Sequence, residues 1–127
     1  MNKFVRTIAV RSLSAVLLVC VTGCFGPAAP PPDVPLEDII GTWVCEKEGS
    51  TITYTFTKDM KYTKNESGAS TSASTSLGTY TLEGNILTTN SNLGGSRTHE
   101  ISEFEGTRMV WGNGSITAEY IKQTKKK

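Results

Sequence analysis

From Gly41 onward the chain alternates apolar and polar residues with a period of two. The stretch "STITYTFT", residues 50–57, sets Ile52, Tyr54 and Phe56 on one face and Thr51, Thr53, Thr55 and Thr57 on the other. Successive side chains of a strand point to opposite sides, so this pattern is a strand with one wet face. The same spacing pairs Trp43 with Cys45, Met60 with Tyr62, Tyr80 with Leu82, and Met109 with Trp111, and it aligns Ile116, Ala118 and Tyr120. "NILTTN" and "RTHEISEF" complete a set of eight short strands less cleanly. Turn residues separate successive strands: "KDM" (58–60), "EGN" (83–85), "EG" (105–106) and "NGS" (113–115). Asn-Gly between two alternating runs is the strongest short hairpin signal. A meander of eight strands with one apolar face, and no helix to cover that face, has to close on itself. The fold class expected is all-β: a small eight-stranded antiparallel up-and-down barrel over residues 36–123.

Three segments depart from the alternation. "LEDII", residues 36–40, is expected to form one helical turn with Pro35 near its start. "ESGASTSASTSL", residues 66–77, is nearly all Ser, Thr, Ala and Gly. With nothing to bury, it is expected to be a mobile loop at one barrel mouth. "SNLGGSR", residues 91–97, is a second candidate rim loop.

The opening of the chain has another design. Lys3, Arg6 and Arg11 precede an apolar run over residues 13–21, broken only by Ser14, and small residues follow. That layout is a secretory signal peptide over residues 1–23; the run has about half of the roughly 20 apolar residues a spanning helix needs. "VTGC", residues 21–24, resembles the lipobox of bacterial lipoproteins. The resemblance implies cleavage before Cys24 and diacylglycerol on its thiol, which would be the protein's contact with the membrane. Two long acyl chains make such anchoring effectively permanent. The other reading is an ordinary signal with a cut further on, which leaves Cys24 a free thiol. Phe25 follows the Cys; in lipoproteins of diderm bacteria an Asp there favours inner-membrane retention, so the expected location is the outer membrane where the source has one, otherwise the outer face of the cell membrane. Residues 24–35 carry all five prolines and read as an extended, semi-rigid linker. Cys20 leaves with the signal, so Cys45 is alone in the folded part and reads as a small buried apolar residue in preference to a reactive thiol.

Charge and motifs narrow the function by exclusion. The formal net charge is +1, but without Lys3, Arg6 and Arg11 the rest holds 10 basic against 12 acidic residues. That balance offers no dominant basic face for nucleic acid, and the basic tail, 124–127, reads as solvated. No Cys/His cluster has metal-ligand spacing. There is no nucleophile elbow, phosphate loop or dinucleotide fingerprint, so no catalytic residue, metal site or cofactor is expected, and the chain does not read as an enzyme. The single histidine, His99, reads as a surface or satisfied residue.

"IIGTW" (39–43), "YTFTKDMKYT" (54–63), "GTYTLEGNILT" (78–88) and "EYIKQ" (119–123), in this order and spacing, resemble the lipocalin-like domains of small bacterial lipoproteins. Gly41 and Trp43 match the Gly-x-Trp signature of the first lipocalin strand, whose Trp packs across one barrel end. Family members often have Gly where Met60 stands, so that turn has to tolerate a Cβ. The resemblance implies a small apolar or amphipathic ligand, bound by Trp43, Tyr54, Tyr62, Tyr80, Trp111 and Tyr120. The alternative is that these rings fill the barrel, and that its outer face or the 66–77 segment contacts another envelope protein, for example as an inhibitor. The volume of the lumen discriminates between the two.

Overall fold

The computed structural model describes residues 28–69 and 71–124. The signal segment, Cys24 and the last three lysines lie outside the described residues. After the helical turn α1 (Leu36–Ile39) come eight strands: β1 (Gly41–Lys47), β2 (Ser50–Phe56), β3 (Lys61–Gly68), β4 (Thr71–Glu83), β5 (Ile86–Ser91), β6 (Ser96–Phe104), β7 (Arg108–Asn113) and β8 (Ile116–Lys122). Each pairs antiparallel with its sequence neighbour, and β8 returns to β1 through Trp43↔Lys122 and Val44↔Ile121. The result is a closed up-and-down barrel. Closure removes sheet edges where it is complete, and the alternation fixes which residues face the interior. Trp43, Tyr54, Phe56, Tyr80, Met109 and Trp111 are among the residues buried inside.

The two ends differ. At the lower end lie the β2–β3, β4–β5 and β6–β7 turns, the start of β1 and the end of β8. α1 caps this end. The Trp43 indole N–H donates to the Ile39 carbonyl at 2.8 Å, a buried bond. The Lys122 ammonium donates to the Asp38 carbonyl at 2.6 Å and lies 5.3 Å from the Trp43 ring centroid. Gly41 sits at φ 135°, and a Cβ there would come within 2.9 Å of the Lys122 side chain. This is the physical content of the Gly-x-Trp pair: glycine allows the backbone and the lysine to cross, and the indole staples α1 in place. Val34 is buried in the same core, so the last part of the linker packs against the domain.

The turns refine the sequence reading. Glu83↔Ile86 and Asn113↔Ile116 are the last ladder pairs of their hairpins. The two-residue loops are therefore Gly84-Asn85 and Gly114-Ser115. In both, the glycine has positive φ and the second residue does not, the sign pattern of a type II′ turn and not of an Asn-Gly type I′ turn. The type I′ pattern occurs instead at the β1–β2 turn, where Glu48 (φ 52°) and Gly49 (φ 79°) are both positive. Met60 adopts φ 59°, so its turn does carry a Cβ in the left-handed region, and its side chain packs on the core.

Residues 66–77 are not the loop that composition predicts. Within that segment, residues 66–68 end β3 and residues 71–77 begin β4, the upper arms of the β3–β4 hairpin, in register Thr63↔Leu77, Lys64↔Ser76, Asn65↔Thr75 and Glu66↔Ser74. Burial was the wrong criterion: a strand held by backbone ladder bonds needs no apolar face, and threonine favours the extended backbone. Thr75 adds a side-chain bond, its hydroxyl donating to the Asn65 side-chain Oδ1 at 2.8 Å. β5 joins β4 only from Gly78 onward, so this hairpin projects beyond its neighbour. The second candidate rim loop shortens to residues 92–95.

Glu48 carries a side chain through a left-handed position that asparagine tolerates far better. Glu48→Asn should stabilise the protein by about 0.5–1 kcal/mol and raise Tm by a few degrees. Thermal unfolding followed by circular dichroism checks this; an unchanged or lower Tm would contradict the turn assignment.

Candidate functional site

The inner positions change character along the barrel. In the lower half they are bulky and apolar: Trp43, Phe56, Tyr80, Leu87, Ile101 and Met109, all buried. In the upper half the same faces carry Lys64, Glu66, Ser76, Ser91 and Arg97, with Ile52 and Ile116 opposite. Serines are too short to meet across the axis, and charged heads stay near water. The upper end is consequently open and contains two recesses.

The first recess has a volume of about 340 Å³ and is lined by Tyr54, Tyr62, Lys64, Thr89 and Arg97, with Leu93 at its rim. The second, about 420 Å³, has a mainly apolar lining that includes Ile52, His99, Trp111, Ile116 and Tyr120. They lie side by side: Tyr54 and Ile52 are alternate inner residues of β2, and Arg97 and His99 are alternate inner residues of β6. Their common floor is a ring cluster. Tyr54 meets Trp111 edge to face at 5.0 Å between centroids and Tyr120 at 5.9 Å. Trp111 in turn meets Tyr120 at 4.7 Å. Such pairs add to the stabilisation from buried area and fix ring orientation.

The six aromatic residues singled out in the sequence therefore divide by level. Tyr54, Tyr62, Trp111 and Tyr120 line the open mouth. Trp43 and Tyr80 do not reach it. Trp43 is committed to α1, and the Tyr80 hydroxyl donates to the Thr57 carbonyl in the β2–β3 turn at 2.8 Å. By contrast, the Tyr54 and Tyr62 hydroxyls have no protein hydrogen-bond partner among the described residues. Burial pushes the Tyr54 phenol well above its ordinary range, with Tyr120 and Tyr62 adding to the effect, so it stays protonated and able to donate.

The sequence reading missed Lys64, Arg97 and His99 as mouth residues. Lys64 pairs with Glu66 at 2.8 Å and is half-buried. Arg97 has no ion pair among the described residues, while its positive charge acts on Tyr54, Glu66 and His99. His99 stacks on Trp111 at 5.0 Å and 24°, and its Nε2 is buried without a hydrogen-bond partner among the described residues. It is neither a surface residue nor a satisfied one. The period-two pattern places Arg97 and His99 on one face with Ile101, and that is the signal in the sequence for these two residues.

Cys45 is buried. Burial pushes its thiol up, partly opposed by Lys47, so the thiol is protonated and unreactive by that criterion. Among the described residues no group of three or more His, Cys, Asp or Glu side chains could hold a metal ion, and no helix is long and apolar enough to cross a membrane. No protein-family model matches the chain, and no curated protein matches it.

Burial, with Arg97 and then Lys64 pushing the same way, holds the His99 pKa below its ordinary 6.5. As pH falls below about 6.5 the unfolded chain gains a proton there while folded His99 stays neutral, so stability is lost on acidification down to the lower folded value. His99→Phe keeps a ring on Trp111 and removes this proton uptake. Its Tm should fall less than that of the wild type between about pH 7.5 and about pH 5.5. Parallel melting curves across that range would refute the assignment.

Proposed function

We propose that this chain is a lipid-anchored envelope protein whose lipocalin-like barrel receives one small amphipathic or apolar molecule at its open mouth. The observation that carries the reading is the pair of recesses floored by Tyr54, Trp111 and Tyr120 at one end of a barrel that is otherwise filled. Concave, ring-lined sites of a few hundred Å³ suit small ligands, and rings contribute contact area without demanding a charged partner. The ligand sits at the mouth and not along the axis, because the lower half is already occupied by side chains of this protein. The anchor rests on the lipobox-like "VTGC" at the end of the signal segment.

The chain has two tryptophans, one at each end of the barrel, so fluorescence can locate the ligand. In full-length Trp43→Phe reconstituted in phosphatidylcholine vesicles, with empty vesicles as blank, emission reports Trp111 alone. Titration with octanol or octanoate should shift that emission saturably and raise Tm. A flat titration with both would remove the ligand-binding reading.

The anchor has its own test. Mass spectrometry of protein isolated from membranes should show a mature chain beginning at Cys24 and carrying diacylglycerol, while Cys24→Ser should be recovered without lipid. A native chain that retains Met1 or has an unmodified Cys24 would refute anchoring and leave the mouth assignment untouched.

A further inference from the structure

The ligand reading above leaves the ligand's charge open, and the mouth is not neutral. On its inner face three cations, Lys47, Lys64 and Arg97, stand against one carboxylate, Glu66. Lys64 and Glu66 satisfy each other at 2.8 Å, and Lys64 also lies 6.0 Å from the Tyr54 ring centroid. Arg97 is left without an ionic partner among the described residues, beside Tyr54 and Tyr62, whose hydroxyls are also free to donate. A guanidinium donates only and a phenol hydroxyl can donate, and together they match a planar or tetrahedral oxyanion. Next to them the second recess offers Ile52, Trp111, Ile116 and Ala118, and no carboxylate lines it. The inner residues Arg97 and His99 that face the two recesses are two strand positions apart, roughly 7 Å, a span that a short amphipath covers.

We infer that the mouth selects an anionic amphipath, whose oxyanion head is held by Arg97 with the Tyr54 and Tyr62 hydroxyls and whose apolar portion lies in the second recess against Trp111, Ile52 and Ile116. The inference rests on the ligand-binding reading and specifies its chemistry. Arg97 sets the charge preference. Lys64, tied to Glu66, holds Glu66 off the head group. The rings of the floor supply contact to the apolar portion whatever its charge. Ile116, 72% exposed at the rim of the second recess, is placed to cover the tail once it is seated.

Three probes of one chain length separate the contributions: octanoate, octanol and octylammonium, each titrated against full-length protein in phosphatidylcholine vesicles with empty-vesicle blanks. Wild-type protein should bind octanoate about tenfold or more tighter than octanol, as one charge-assisted hydrogen-bonded contact provides, and octylammonium weakest of the three. Arg97→Gln, a change at an exposed position, should lose the octanoate preference, with octanoate affinity falling about tenfold or more relative to octanol measured on the same variant. Equal wild-type affinity for octanoate and octanol would overturn the inference while the ligand-binding reading stands. So would an Arg97→Gln protein that keeps the preference, which would put the head group elsewhere. Failure of all three probes to bind would sink both.

Discussion

The constraint on which everything else depends is the width of an eight-stranded barrel. Its interior is just wide enough for side chains to fill, and a domain of this length has few layers with which to do so. The protein meets the constraint with rings. Tyr54 touches Phe56, Tyr62, Trp111 and Tyr120, and Phe56 meets Tyr80 edge to face at 4.9 Å. Five strands thus contribute to one connected aromatic column. The column stops where the inner residues of β3, β4 and β5 turn to lysine and serine, and that change of composition is what creates the mouth. The proposed site is therefore the upper boundary of the core, and the rings of its floor are part of the same packed column.

The strands were readable because their signal is local: a period of two needs only neighbouring residues. Tyr54 and Phe56 could be assigned to the same inner face without any knowledge of the fold. The division of labour among the rings was not readable in that way. Whether Tyr80 lies at the mouth or at the closed end depends on strand direction and register across three chain reversals, and its hydroxyl partner, the Thr57 carbonyl, is 23 residues away. The 66–77 segment failed for a different reason. Its composition describes what it can bury, whereas its structure is decided by backbone pairing with β3. Lys64 and Arg97 looked like ordinary solvated charges because a charged residue on the inner face of a strand departs from the alternation only if the face is known to be enclosed.

The two barrel ends also order the molecule in space. The linker enters at Val34 and α1, both at the closed end, and the mouth lies at the other end of strands that span roughly 20 Å. An anchor at Cys24, as proposed, would set the closed end towards the bilayer and the mouth away from it. A ligand would then be taken from the surrounding aqueous layer or from a partner carrying it, and not directly out of the anchoring membrane. The Pro-rich linker fits this arrangement, because an extended spacer sets a standoff without occupying the mouth.

Departures from good local chemistry are distributed unevenly, and that unevenness bears on where function resides. At the closed end the demanding groups are satisfied: the Trp43 N–H and the Tyr80 hydroxyl each meet a backbone carbonyl, and the Lys122 ammonium does as well. Met60 departs there, with its side chain packed on the core in return, and Leu36, Ile86 and Ile121 at that end are less exposed than Leu93 and Ile116 at the mouth. At the mouth the departures gather without such compensation. Glu48 occupies a left-handed position, among the described residues His99 holds a buried nitrogen with no partner and Arg97 has no ion pair, and Leu93 and Ile116 stand in water. Each of these costs stability, and any one could be accidental. Sequences that specify a fold consistently at every other level tend to break the rules where something else is required of the residues. Here the mouth's unmet groups are of two kinds, oxyanion donors and apolar surface, and a molecule carrying both an oxyanion and a short apolar chain would satisfy both kinds at once.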